Sequence, residues 1–175
     1  MKKLVLIMLA LFIGISVYSQ TEEEEGRTLP SIVLKTAGGE PYNTAEISND
    51  GKPIILSFWA LWCKPCIKEL NTIADVYYDW QEETGVKLIA VSIDDSRSST
   101  KVKPFADGND WDYEILLDVN SDFKRAMNVN MIPHTFILDG QGQVVWQHTS
   151  FSEGGEIQLI ENVKKVIAGE KIEAH

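Results

Sequence analysis

Apolar and polar positions along this chain fall into two kinds of block, short continuous apolar runs and stripes spaced by three and four. Ile54-Ile55-Leu56-Ser57-Phe58-Trp59 is a nearly unbroken apolar run, the pattern of a strand covered on both faces. Beyond it, Leu70, Ile73, Ala74, Tyr77 and Trp80 recur at helical spacing and predict one amphipathic helix, which Gly85 stops. Val86 to Ile93, with Leu88-Ile89-Ala90-Val91 at its centre, predicts a second buried strand. Upstream, Ile32-Val33-Leu34 reads as an edge strand closed by the turn signal Gly38-Gly39.

The second half continues the alternation. Ser96 to Asp110 is polar with room for a short helix that Pro104 starts or breaks. Ile115-Leu116-Leu117 reads as extended, and a small helix follows around Phe123 to Met127. Thr135-Phe136-Ile137-Leu138 and Val144-Val145-Trp146 flank Asp139-Gly140-Gln141-Gly142 and predict a hairpin. Ile157, Ile160, Val163, Val166 and Ile167 supply the stripe of a closing helix. Together these elements predict an α/β sandwich, a mixed sheet with parallel crossover strands and an antiparallel final hairpin, covered by helices on both faces.

The ends of the chain fall outside that pattern. Lys2 and Lys3 precede an apolar run from Leu4 to Val17, broken only by Gly14 and Ser16, and small Ser19 follows. These are the parts of a signal peptide over residues 1–19, cut between Ser19 and Gln20. The alternative is an uncleaved membrane anchor, but the run falls short of the roughly 18 to 20 residues that span a bilayer. Residues 20–28, with Glu22 to Glu25, read as a disordered linker, residues 29–168 as one domain, and 169–175 as a flexible tail. A chain of 175 residues suits one such core.

Charge narrows the partners. The formal net charge is −10, and losing Lys2 and Lys3 with the leader makes it −12. An acidic domain without a basic cluster has no electrostatic footprint for nucleic acid. Membrane contact is expected only if the leader stays on.

The candidate chemistry is sulfur chemistry. The two cysteines stand as Cys63-Lys64-Pro65-Cys66, directly after a buried strand and at the start of a helix. A helix N-terminus presents unpaired amides and partial positive charge, which stabilise a thiolate. The first cysteine, at the exposed start, can attack a partner disulfide; the second, one turn in, can resolve the mixed disulfide. Pro65 suits an early helix position. Half of a zinc site is one alternative, but His134 and His148 lie on predicted strands and not at histidine-ligand spacing. No metal is expected. A structural bridge is another alternative, although so short a loop stabilises little; two buried small hydrophobes are the third.

Ser57-Phe58-Trp59-Ala60-Leu61-Trp62-Cys63-Lys64-Pro65-Cys66 resembles the active-site segment of the thioredoxin superfamily, and Met131-Ile132-Pro133-His134-Thr135-Phe136 resembles that superfamily's proline loop. The resemblance spans nearly all of residues 29–168 and implies a thioredoxin-like three-layer sandwich. It further implies a redox-active Cys63–Cys66 disulfide with no other cofactor, a cis Pro133, and Ile132 offering backbone groups to an extended substrate. The leader, the extra N-terminal stretch and Glu69 make the chain most similar to the exported branch that includes TlpA, ResA and the cytochrome c maturation thioredoxins. That branch implies a bacterial periplasmic location.

Glu69 follows Cys66 by three positions, so it lies on the same side of the helix, beside the apolar stripe. Burial there raises a carboxyl pKa and equips it to exchange a proton with a thiol; the alternative is a solvated glutamate paired with a lysine. Cytosolic thioredoxins carry a buried aspartate six residues before the first cysteine, where this chain has Ser57, which leaves Glu69 as the one nearby acid expected. Trp59 is expected in the core and Trp62 beside Cys63 as contact surface, with Lys64 adding positive potential. His134 is expected as an exposed strand histidine, and Trp111 and Trp146 as packing residues.

The expected function is therefore thiol–disulfide exchange with protein thiols outside the cytosol. By resemblance it runs as a reductant supplied by an unidentified redox donor, with net oxidation the alternative in the same chemistry. Two further alternatives are a non-enzymatic binding or holdase module and a thiol peroxidase. The peroxidase wants a threonine shortly before the reactive cysteine and an activating arginine, and Trp59-Ala60-Leu61-Trp62 offers neither.

Overall fold

The computed structural model describes residues 27–170 and 172. The signal peptide and most of the linker expected before residue 29 lie outside the described residues, as does most of the tail. Eight strands form one sheet in the order β1-β8-β7-β4-β5-β6-β2-β3. They are β1 (Arg27–Thr28), β2 (Val33–Thr36), β3 (Pro41–Asn43), β4 (Ile54–Trp59), β5 (Lys87–Ser92), β6 (Glu114–Leu117), β7 (His134–Leu138) and β8 (Gln143–Thr149). The helices are α1 (Lys64–Ala74), α2 (Tyr77–Thr84), α3 (Val102–Asp107), α4 (Asp122–Ala126) and α5 (Gly155–Ile167).

The expected parallel and antiparallel pairings are both present. β4 runs parallel to β5, and β5 to β6, while β7 runs antiparallel to β4 and to β8. All six residues of β4 are buried, as its apolar run predicts for a strand at the centre of a two-sided sheet. Its side chains alternate between two separate cores. Ile55 and Trp59 join Leu70, Tyr77, Trp80, Val102, Leu159 and Val163 beneath α1, α2, α3 and α5. Ile54, Leu56 and Phe58 join Phe123 and Met127 of α4 on the opposite face. That division decides where the chemistry sits.

Several expectations are corrected. The single helix through Trp80 is two, broken at Val76, whose backbone leaves the helical region at φ −124°, ψ 0°. The offset turns Tyr77 into the core, where its hydroxyl accepts the Leu88 amide at 2.9 Å and its ring meets Tyr113 edge-on at 5.0 Å. Gly85 caps α2 in the left-handed conformation at φ 66°, the stop its position predicts. β2 is not an edge strand: it pairs with β6 on one side and β3 on the other, so β3 takes the edge.

Both boundaries also move. Arg27 and Thr28, expected in the linker, pair with Val144 and Gln143 and close the other edge of the sheet. Ile172, expected in the tail, packs against the larger core. In α5, Leu159, Ile160 and Val163 are buried, whereas Ile157 and Ile167 are exposed in the first and last turns. Pro104 lies in the first turn of α3, where its missing N–H would have had no intrahelical partner.

Candidate active site

β4 delivers the chain from the centre of the sheet to Ala60-Leu61-Trp62, and α1 begins at once. Cys63 is the N-cap residue of α1, with extended backbone at φ −89°, ψ 92°, and Pro65 occupies the first turn. Cys63 and Cys66 are joined as a disulfide. The Cys66 amide donates to Cys63 Sγ at 3.3 Å, so a helix N-terminal N–H points at the sulfur that the chemistry charges. Cys63 is less open than expected, at 5% exposure, but Cys66 has none. Attack by the first and resolution by the second still matches that order of access.

The rim has the expected character. Trp62 is 68% exposed, Lys64 and Pro65 are exposed, and Trp59 is fully buried. The Ile132–Pro133 bond is cis. Ile132 packs against both cores, one of which contains the two cysteines. Pro133 is buried and its carbonyl accepts from the Ser150 amide at 3.0 Å, tying the loop to the end of β8. Met131 adds a second exposed apolar side chain beside the loop.

Glu69 is 3% exposed on the inner face of α1. Thr135 Oγ1 donates to its Oε1 at 2.9 Å, while Oε2 is buried with no protein partner. Ser57 Oγ lies 3.3 Å from the same threonine hydroxyl. Burial pushes the Glu69 carboxyl up to about 7, and the Thr135 hydroxyl offsets only part of that. The solvated, lysine-paired alternative fails here because Lys68 on the same helix turns outward to Glu153.

Two histidines separate on either side of the sheet. His134 is buried, not exposed: it stacks on Phe136 at 4.4 Å and its Nε2 meets Gln147 Oε1 at 3.2 Å. Its partners lie on the face away from Glu69, because residues two apart on β7 share a side. His148 is the register partner of Thr135 and lies on the Glu69 side, with Nε2 3.9 Å from Glu69 Oε1. The pattern of β7 and β8 carries a parity signal that places Thr135 and His148 together, but only the pairing register reveals it.

A second buried acid also supports the site, so Glu69 is not the one nearby carboxylate. Asp94, just past β5, is 2% exposed, and its Oδ2 accepts from the Leu61 amide at 2.9 Å and from Ser92 Oγ at 2.8 Å. Leu61 lies two residues before Cys63, so this carboxylate holds the turn that presents the sulfur. Asp94→Ala leaves the Leu61 N–H without that acceptor and is expected to lower stability by about 1–3 kcal/mol in urea denaturation. Asp94→Asn, which keeps an acceptor oxygen, is expected to lose less. An unchanged midpoint for the alanine variant would mean the turn is held by other contacts. Among the described residues, no group of three or more His, Cys, Asp or Glu is placed to hold a metal ion.

Comparison with known proteins points the same way. A model of the AhpC/TSA family matches residues 26–147. Thioredoxin-like protein YneN of Bacillus subtilis is 33% identical over 150 residues, spanning 81% of this chain and 84% of its own length. Thiol-disulfide oxidoreductase ResA of Geobacillus kaustophilus is 30% identical over 149 residues, spanning 82% of this chain and 83% of its own. The solution structure of a thioredoxin-like protein from Porphyromonas gingivalis, 54% identical, aligns with a TM-score of 0.73 over 81% of this chain and 95% of that one.

Proposed function

The chain belongs to the AhpC/TSA family of thioredoxin-like proteins and is a thiol–disulfide oxidoreductase, and from that premise we propose that it works outside the cytosol as a reductant of protein disulfides. The observation that carries the exchange chemistry is the Cys63–Cys66 pair at the start of α1, with a helix amide on Cys63 Sγ and a buried carboxyl one turn further in, while the reductant direction rests on the family resemblance. Reduced Cys63 attacks a substrate disulfide as the thiolate; Cys66 then attacks Cys63 and releases the substrate thiol. Glu69 takes the Cys66 proton in that second step. Trp62, Lys64, Pro65, Ile132 and Pro133 form the surface on which an extended substrate segment rests.

Export rests on the leader at residues 1–19 and on the resemblance to the exported branch, and it places the mature domain in a bacterial periplasm. The partners are then protein thiols and disulfides together with a redox donor. No helix among the described residues is long and apolar enough to cross a membrane.

Peroxidase chemistry finds little support in the arginines of the described residues. Arg97 pairs with Asp95, Arg125 with Asp122, and Arg27 lies over the Phe136 ring on the face away from the disulfide. Direction is tested by equilibrating the Cys63–Cys66 couple in graded thiol buffers. A potential near about −270 mV or below supports the reductant reading, and one towards about −120 mV reverses it to oxidation.

A further inference from the structure

Glu69 sits at 3% exposure, so a proton it takes from Cys66 needs a way out. Its Oε1 already accepts from Thr135, a hydroxyl whose neighbour is the equally buried Ser57. Among the described residues, His148 is the one basic side chain within 4 Å of the carboxylate. Its side chain is 26% exposed, which makes it a path from the buried oxygen to water.

We propose that His148 is the proton relay between Glu69 and solvent during resolution of the mixed disulfide, a role that rests on Glu69 being the proton acceptor. β8 places the imidazole opposite Thr135, on the α1 side of the sheet. Trp146 stacks on it at 5.1 Å and 21°, fixing the plane of the ring. The gap of 3.9 Å closes to hydrogen-bond distance with a movement of roughly 1 Å.

The step balances as follows. Cys66 S–H gives its proton to the Glu69 carboxylate; Cys66 sulfur attacks Cys63 sulfur; the bond from Cys63 to the substrate sulfur breaks, and the substrate leaves as a thiolate. Glu69 then passes the proton to His148 Nε2, and the ring releases one to water. No outside oxidant or reductant enters.

Electrostatics suit a relay. Burial, helped by the His134 ring across the strand, holds His148 below the usual imidazole range, so the ring is neutral and able to accept when Glu69 is protonated. Two further charged groups stand on the neighbouring elements. Lys68 on α1 is tied to Glu153 of the loop before α5, and Glu156, in the first turn of α5, keeps a buried Oε2 without a protein partner and is another carboxylate on the elements of this face.

The test uses the reduced protein and an aromatic disulfide, 5,5′-dithiobis(2-nitrobenzoate), whose thiolate leaves as an anion and is coloured. The first release reports attack by Cys63 and the second reports resolution by Cys66, so the proton of the second step has to reach water. His148→Gln is expected to slow the second release about tenfold or more, with its pH profile altered, and to leave the first unchanged. Imidazole in the buffer is expected to restore the rate of His148→Gly, which a purely packing role would not allow. In a Glu69→Gln background, His148→Gln is expected to add nothing.

An unchanged second release in both His148 variants, or a slowing that imidazole does not rescue, would overturn the relay. If Glu69→Gln itself leaves the second release at the wild-type rate, the underlying assignment of Glu69 fails. If Glu69→Gln slows it and the His148 variants do not, only the relay fails. Circular dichroism and a urea transition for each variant serve as the control that it is folded, because an unfolded thiol also releases the coloured anion.

Discussion

Cys63→Ser is expected to reduce disulfide exchange to the rate without protein. A serine hydroxyl does not ionise near neutral pH and forms no mixed disulfide, and the chain has no third cysteine to take its place. Cys66→Ser is expected to behave differently. Cys63 still attacks, but nothing resolves the product, so a one-to-one mixed disulfide with substrate accumulates and is visible as added mass on a non-reducing gel. Losing a bridge of sequence separation 3 costs roughly 2 kcal/mol by the chain-entropy account, too little to mimic the activity loss by unfolding a stable domain. The double Cys63→Ser, Cys66→Ser variant separates function classes: a holdase or binding module keeps its activity, and an oxidoreductase does not. Retained exchange in Cys63→Ser would contradict the central assignment.

Glu69→Gln is expected to change both the rate and the pH dependence of stability. Burial raises the folded carboxyl from 4.5 to about 7, so between those pH values the native state holds a proton that the unfolded chain has released. Stability therefore falls as pH rises through that window, and above about pH 7 the charged carboxylate costs roughly 3 kcal/mol. Glutamine removes the penalty. In urea titrations at pH 4.5, 6 and 8, the variant is expected to gain on the wild type as pH rises, by up to about 3 kcal/mol at the top. Resolution by Cys66 is expected to slow about a hundredfold in the same variant, since its proton acceptor is gone. Parallel stability curves for the two proteins would show that Glu69 titrates as an ordinary glutamate.

Long, strongly periodic stretches made the centre of the molecule legible in sequence. The β4 run and the closing hairpin stand where their patterns place them, and the helix behind the cysteines does so as far as Ala74. Shorter features did not announce themselves. β1 has two residues and β3 three, too few for any alternation to register. The break at Val76 is set by tertiary demand, because Tyr77 has to reach the Leu88 amide. In α5, Ile157 fits the helical spacing as well as Leu159 does, and only packing decides which is buried.

Within the site, Cys63, Cys66 and Glu69 were legible because spacing along one helix fixes their relation. Asp94 was not, since its bond to Leu61 joins residues 33 apart in the chain. His134 reads as an exposed strand histidine, yet it is buried because Phe136 two positions on supplies the ring on which it stacks.

The two cores divided by the sheet set how this protein tolerates change. Disulfide, carboxyl, Thr135 and His148 all belong to the side of α1, while Phe58, Phe123, Met127 and Phe136 fill the other side, and Ile93 and Ile132 are the side chains packed against both cores. Substitutions on opposite sides should then combine nearly additively. One side is open to thermostabilising redesign and the other to retuning of redox behaviour, so the two traits can drift, or be engineered, on separate schedules.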